Sequence, residues 1–233
     1  MNKEKLKSLV NSNIVHLDDE VFSSLEELMQ DTLETNEKFN LTAIKNKEEF
    51  RELMIYDSLL PLKYINLDGK KVLDVGTGAG YPGLPLAIAS KGQFTLLDAT
   101  AKKITHINEF VKAHNLKNVV GVNARVEDFA KNNREQFDIV IARAVSPLNM
   151  LLELCVPLVK VNGTLIAMKG SNVQDEIKEA KKAFKVLNST ISAQYQDYLP
   201  VSESERNLLI IKKEKETAKK YPRSFSEIKS HSL

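Results

Sequence analysis

Lys71-Val72-Leu73-Asp74-Val75-Gly76-Thr77-Gly78-Ala79-Gly80-Tyr81-Pro82-Gly83 is the stretch that decides how this chain is read. Val72, Leu73 and Val75 form a short apolar run suited to a buried strand, and glycines then fall on alternate positions at 76, 78 and 80. Backbone without side chains at such positions turns sharply and lets a ligand approach closely. Three of the nine glycines of the chain lie within these five residues, a concentration that a plain turn does not require. The spacing is G-x-G-x-G, with Tyr81 where a dinucleotide-binding G-x-G-x-x-G has its third glycine. Asp74, two residues before the first glycine, is placed to accept hydrogen bonds from an amine or from the loop itself. A second apolar run, Phe94-Thr95-Leu96-Leu97, closes at Asp98, 22 residues after Gly76. A carboxylate at that distance suits ribose hydroxyls held across the crevice of a Rossmann-like sheet.

Outward from the loop, strand and helix patterns alternate. Strands are predicted at 71–75, 93–98, 118–122, 137–142 and 163–168, and helices at 83–90, 100–114, 147–158 and 173–187. Such alternation predicts an α/β fold, a mostly parallel sheet covered on both faces. Two runs near 193–199 and 206–212 follow without an intervening helix and predict a terminal antiparallel hairpin. On the amino-terminal side, Asp18 can cap a helix whose apolar positions are Val21, Phe22, Leu25, Leu28, Met29 and Leu33. Asn46 with Glu49 has the capping-box spacing and opens a second helix through Phe50, Leu53 and Met54. The organisation expected is a helical extension over 1–65, the α/β domain over 66–213 and a basic tail over 214–233.

Composition narrows the class. A chain of 233 residues with 42% hydrophobic content can bury the core of one such domain plus an appendage. Its single cysteine excludes an intramolecular disulfide and fits a reducing, cytoplasmic compartment. Cys155 lies within Leu151-Leu152-Glu153-Leu154-Cys155-Val156 and reads as a packing residue rather than a nucleophile. There is no signal-peptide core and no run near the roughly 18 apolar residues of a membrane span, so no membrane is expected. The four histidines lack metal-ligand spacing, and no metal is assigned. The net charge of +2 is unevenly spread: residues 1–70 carry 9 basic and 14 acidic side chains, residues 212–233 carry 7 and 3. A basic end on a nearly neutral chain suggests an anionic partner, nucleic acid first, or else a solvated terminus.

The glycine loop followed by Asp98 resembles the first two motifs of class I S-adenosylmethionine-dependent methyltransferases, whose Rossmann-like sheet ends in an antiparallel pair. The resemblance extends further: Asn40-Leu41-Thr42, Asp57-Ser58-Leu59, Gly76 to Gly83, Arg125-Val126-Glu127, Ala142-Arg143-Ala144, Lys169-Gly170 and Tyr221-Pro222-Arg223 occur in this order. Together they are similar to the bacterial RsmG (GidB) family, which methylates N7 of a guanine in 16S ribosomal RNA. Family tails after the Pro-Arg pair are commonly rich in proline and glycine, whereas this chain reads Ser224-Phe225-Ser226-Glu227.

The resemblance implies S-adenosyl-L-methionine as cofactor, bound by Gly76, Gly78, Tyr81, Asp98, Val126, Glu127 and Arg143, with Lys169 and Arg223 toward the RNA. The partner implied is 16S rRNA or a precursor of the small ribosomal subunit, and the protein is expected to act as a monomer. Amides of the glycine loop are expected to face the methionine moiety, Asp98 the ribose, and Val126 with Glu127 the adenine. Arg143 ends the apolar run Phe137 to Ala142, where the reacting methyl should lie. Enzymes that methylate exocyclic amines carry an Asp/Asn-Pro-Pro-aromatic motif there, and 5-methylcytosine enzymes use cysteines; Ala142-Arg143-Ala144-Val145-Ser146-Pro147 has neither. Guanine N7 already offers a free lone pair, so alignment and electrostatics suffice and no general base is expected. Two other readings stay open from the sequence: methylation of a different substrate, and a cofactor-binding, RNA-associated or regulatory protein without turnover. A nicotinamide oxidoreductase fits less well, given the glycine spacing and the hairpin.

Overall fold

In the computed structural model, which describes residues 1–233, seven strands make one sheet. They are β1 (Lys71–Val75), β2 (Gln93–Asp98), β3 (Val119–Asn123), β4 (Phe137–Arg143), β5 (Val159–Lys169), β6 (Ser189–Tyr198) and β7 (Glu205–Lys213). Their spatial order is β3-β2-β1-β4-β5-β7-β6. The first five are parallel; β7 runs antiparallel to both β5 and β6. The order reverses between β1 and β4, which opens the crevice where ligands of such sheets bind. Register aligns the strand ends there: Val75 pairs with Leu97 on one side and Ala142 on the other, and Arg143 pairs with Met168. Gly76, Asp98, Arg143 and Lys169 therefore emerge along one edge of the sheet.

The crossover helices are α5 (Gly83–Ala89), α6 (Ala101–Ala113), α7 (Val126–Ala130), α8 (Leu148–Cys155), α9 (Val173–Glu179) and α10 (Lys181–Val186). They follow an amino-terminal set: α1 (Lys3–Asn13), α2 (Asp19–Phe39), α3 (Lys47–Phe50) and α4 (Asp57–Leu59). Asp18 caps α2 by accepting the Val21 N–H, and Asn40, at φ 50°, ends it in the left-handed conformation that asparagine tolerates. Asn46 accepts from the N–H groups of both Glu48 and Glu49. The helix it opens does not stay regular: residues Arg51–Tyr56 widen into a π-helical turn before α4 resumes.

Two apolar clusters lie on opposite faces of the sheet. One of 33 buried residues joins Leu6, Phe22, Phe50 and Leu59 of the amino-terminal helices to Val72, Ile141 and Ile166 of the strands. Packing thus runs without a break across residue 65. Glu52 strengthens the join by accepting the Val201 and Ser202 N–H groups from the β6–β7 turn, and the Tyr64 ring stacks on Tyr195 at 3.9 Å. The second cluster sits under α8 and α10 and takes in Tyr221, Ile228 and Leu233 from the carboxyl-terminal segment. That segment ends in α11 (Phe225–Ser230), capped by reciprocal Ser224–Glu227 hydrogen bonds.

The tail's surplus charge is less free than its composition suggests. Lys213, 1% exposed, pairs with Glu135 at 2.7 Å, and Arg223 pairs with Glu153 at 2.6 Å. The β-strand predicted at 163–168 begins four residues earlier, at Val159, with Asn162 at φ 66° where β5 bends. The single helix predicted at 173–187 is divided at Ala180.

Candidate active site

The glycine loop is held from below by Asp74. Its Oδ2 accepts from the Thr77 hydroxyl at 2.6 Å and the Gly83 N–H at 2.8 Å, while Oδ1 is buried without a partner. Burial raises the carboxyl to about 6, against the two hydrogen bonds and the more distant Arg143, which favour the charged form. Most loop amides already have acceptors inside the protein. Gly76 and Thr77 donate to the Leu97 carbonyl, Gly80 and Tyr81 to that of Thr77, and Gly78 to Asp98 Oδ2 at 3.0 Å. The loop therefore presents bare Cα surface more than free donors. Gly78, at φ 61°, borders open space: a Cβ built there meets nothing within 4 Å. At Gly76 the missing Cβ is replaced by Val145, whose Cγ2 would lie 2.8 Å from it.

Two cavities open at this edge. The smaller, of about 180 Å³, is bounded by Gly76, Asp98, Val126, Glu127, Leu154 and Phe225. The larger, of about 720 Å³, lies over the ends of β4 and β5 and is bounded by Asp57, Arg143, Lys169, Glu176 and Arg206 among others. Val145 lines both. Its neighbour Ala144 sits at φ 53°, a conformation that costs an alanine roughly 1–2 kcal/mol and that the surrounding loop maintains.

Of the residues expected at the cofactor, Gly76, Asp98, Val126 and Glu127 converge on the smaller cavity, with Gly78 beside it through Asp98. Tyr81 does not. Its side chain, 3% exposed, turns under the amino-terminal helices, where the hydroxyl lies 3.0 Å from Thr32 Oγ1 and the ring meets Phe50 edge-on at 5.5 Å. The apolar cluster around Phe50 claims the ring, and the expectation that it lines the cofactor site is corrected accordingly. Arg143 reaches the larger cavity, but its guanidinium is engaged: Nη1 donates to the Leu53 carbonyl and to Asp57, each at 3.2 Å. Arg206 approaches the same Asp57 from the other side at 3.0 Å. Lys169 Nζ is likewise held, by the Ser146 carbonyl and Glu176, both at 2.7 Å.

Arg223 falls outside this crevice. It borders a separate hollow beside Glu127 and Lys131, and its guanidinium grips Glu153 and the His231 carbonyl. Asp57, Arg206, Val145 and Phe225 are the site residues that sequence reasoning missed. Asp57, Val145 and Phe225 stand in stretches quoted above, whereas nothing in the sequence singles out Arg206. Cys155 is fully buried and its thiol is pushed up by burial, consistent with packing.

The donor set suits S-adenosylmethionine on grounds visible in the fold: a carboxylate at the end of β2, an apolar slot beside it, a glycine facing open space, and the orphaned Oδ1 of Asp74 under the loop. Comparisons agree. Among solved structures, TYW2 of M. jannaschii in complex with AdoMet superposes with a TM-score of 0.53 at 18% identity, covering 64% of this chain and 72% of that one. P. horikoshii TYW2 in complex with MeSAdo gives 0.52 at 13%, covering 67% and 60%. At such identities the likeness shows the fold. Sequence similarity goes further: the family model for rRNA small subunit methyltransferase G matches residues 22–209. Ribosomal RNA small subunit methyltransferase G of Bacillus cytotoxicus is 40% identical over 227 residues, covering 96% of this chain and 95% of the relative. The Bacillus cereus protein of that name matches to the same extent. With the glycine loop, the β2 carboxylate and the β4 arginine in register along one sheet edge, and identity at this level over nearly the whole length, the chain belongs to the rRNA small subunit methyltransferase G family.

Proposed function

We propose that this protein transfers a methyl group to N7 of a guanine in 16S ribosomal RNA, in the cytoplasm and as a monomer. S-adenosylmethionine, when bound, supplies an electrophilic methyl on a sulfonium. Gly76, Gly78, Asp98, Val126 and Glu127 hold its nucleoside in the smaller cavity, and the larger one receives the target base. The observation that carries this reading is the state of the polar side chains around the larger cavity. Arg143 and Arg206 flank Asp57, Lys169 is tied to Glu176, and Cys155 is sealed away. No cysteine nucleophile faces the base, and of the three carboxylates around it Asp57 and Glu176 are engaged in ion pairs while Glu179 is exposed to water. A group with a free lone pair, such as N7, is the acceptor that such a site can serve by orientation alone.

Charge points the same way. The larger cavity balances Arg143, Lys169 and Arg206 against Asp57, Glu176 and Glu179. A neutral nucleobase suits that balance better than a phosphate does, which leaves the RNA backbone to be met outside it. Lys169 then stands at the wall of the base site and fixes the 144–147 loop through Ser146, while Arg143 fixes the end of β4 against the amino-terminal helices. For Arg223 the pairing with Glu153 supports a part in holding the tail rather than the RNA.

The test is methylation of small-subunit rRNA and of small-subunit particles lacking the modification, followed by chromatography and mass spectrometry of the nucleosides. 7-Methylguanosine at one site is expected. A methyl on an exocyclic amine or on cytosine C5, or none on RNA, would overturn the reading.

A further inference from the structure

We propose that Phe225, from the carboxyl-terminal segment, forms the aromatic wall of the adenine site and is held in place by the Arg223–Glu153 pair. The inference rests on the cofactor reading above and adds a residue to that site. Phe225 borders the cavity of about 180 Å³ together with Leu97, Ala124, Val126 and Leu154, and seven of the eleven residues around it are hydrophobic. A slot with apolar walls, a ribose-binding carboxylate (Asp98) at one end and an acceptor (Glu127) at its rim has the chemistry that a flat purine requires. The ring is 38% exposed, on a segment whose other apolar side chains, Tyr221, Ile228 and Leu233, are buried. Contact with a purine face would remove part of that surface from water and add a base–aromatic stack.

The ring is not on a loose end. Two residues before it, Arg223 clasps Glu153 with its backbone N–H at 3.1 Å, Nε at 2.7 Å and an Nη2 at 2.6 Å; Glu153 is 0% exposed. Arg134 adds hydrogen bonds to the Tyr221 and Thr217 carbonyls. Leu154, next in sequence to Glu153, lines the cavity. One turn of α8 thus both anchors the tail and builds the opposite part of the wall, which fixes Phe225 relative to the slot.

The chain contains no tryptophan, so Phe225→Trp introduces a single reporter at this wall. Titration with S-adenosylhomocysteine and with adenosine is expected to change its emission saturably, with the dissociation constant that calorimetry gives. Phe225→Ala is expected to weaken both ligands by a similar factor, roughly tenfold for one lost stack. Adenosine has no methionine moiety, so an equal loss places the contact at the base. Arg223→Ala, which lies outside the cavity, should weaken both several-fold by freeing the segment. Circular dichroism checks that each variant is folded. Wild-type adenosine and S-adenosylhomocysteine affinities in folded Phe225→Ala, with no emission change in Phe225→Trp, would overturn the proposal while leaving cofactor binding intact. Wild-type affinity in Arg223→Ala would overturn the anchoring. If the unaltered protein binds neither ligand, the cofactor reading itself falls, and this inference with it.

Discussion

Arg143 Nη1 lies 3.2 Å from Oδ2 of Asp57, joining the end of the fourth strand to a helix 86 residues earlier in the chain. Asp57 is 3% exposed and receives Arg206 as well, so a buried carboxylate is shared by two guanidinium groups. Removing either partner of such a buried pair is costly, because the charge left behind stays desolvated. Arg143→Ala should lose more than tenfold in single-turnover methyl transfer and melt at a lower temperature. Arg143→Lys should keep the charge but lose about tenfold, since an ammonium cannot reproduce the planar donor set that meets Leu53 and Asp57 together.

The same pair admits a stricter check. Denaturant unfolding of Arg143→Ala, Asp57→Asn and the double variant should give a coupling energy of about 0.5–3 kcal/mol. Additive effects, within about 0.3–0.5 kcal/mol, would show that the contact contributes nothing to the fold.

Gly78 separates ligand from fold. A Cβ there meets no protein atom within 4 Å, and the positive φ alone costs roughly 1–2 kcal/mol. Gly78→Val should therefore remain folded, with modest loss of stability, and bind S-adenosylhomocysteine at least an order of magnitude more weakly. Unchanged calorimetric affinity would move the cofactor away from this loop.

Asp74 predicts an inverted pH dependence of stability. Its folded-state value of about 6 lies above the ordinary 3.8, so the carboxyl keeps its proton more tightly in the folded chain. Stability from this group is fully present below about pH 4 and is lost as pH rises through 6, by roughly 3 kcal/mol over the window. Asn at this position can accept both hydrogen bonds through its own Oδ1, so Asp74→Asn should gain on the wild type between pH 4 and 7. Parallel unfolding curves at pH 4.5 and 7.5 decide it: a constant difference between the two proteins contradicts the assignment.

Methyl transfer at N7 needs no proton removed first. At saturating RNA, the single-turnover rate should stay nearly flat from pH 6.5 to 8.5. A rise with a fitted pKa inside that range would point to a general base and to a different target atom.

The sheet was legible because buried parallel strands announce themselves as unbroken apolar runs. β1 and β2 lie where Val72–Val75 and Phe94–Asp98 put them. The cofactor edge followed from the same runs, since parallel register aligns their ends. What stayed hidden was long-range. Nothing near Tyr81 says that its ring will meet Thr32, 49 residues away, so its place in a motif did not reveal which way it faces. The Asp57–Arg206 contact spans 149 residues and leaves no periodic trace. The α1 helix was missed because Lys3–Asn13 buries only Leu6 and Val10, too few to set a period. Toward the basic end, Lys213 and Arg223 answer internal carboxylates, and charge counting cannot tell a paired cation from a free one.

The position of β7 between β5 and β6 has a consequence for biosynthesis. The strand that pairs with β5 is made only after β6, and β6 has no partner until β7 arrives. Until residues Glu205–Lys213 clear the ribosome, the nascent sheet keeps an open edge along Thr164–Lys169, a run that includes Leu165, Ile166, Ala167 and Met168. An uncovered apolar edge of this kind recruits other strands. Chains cut short before β7 should therefore aggregate rather than persist as partly folded species.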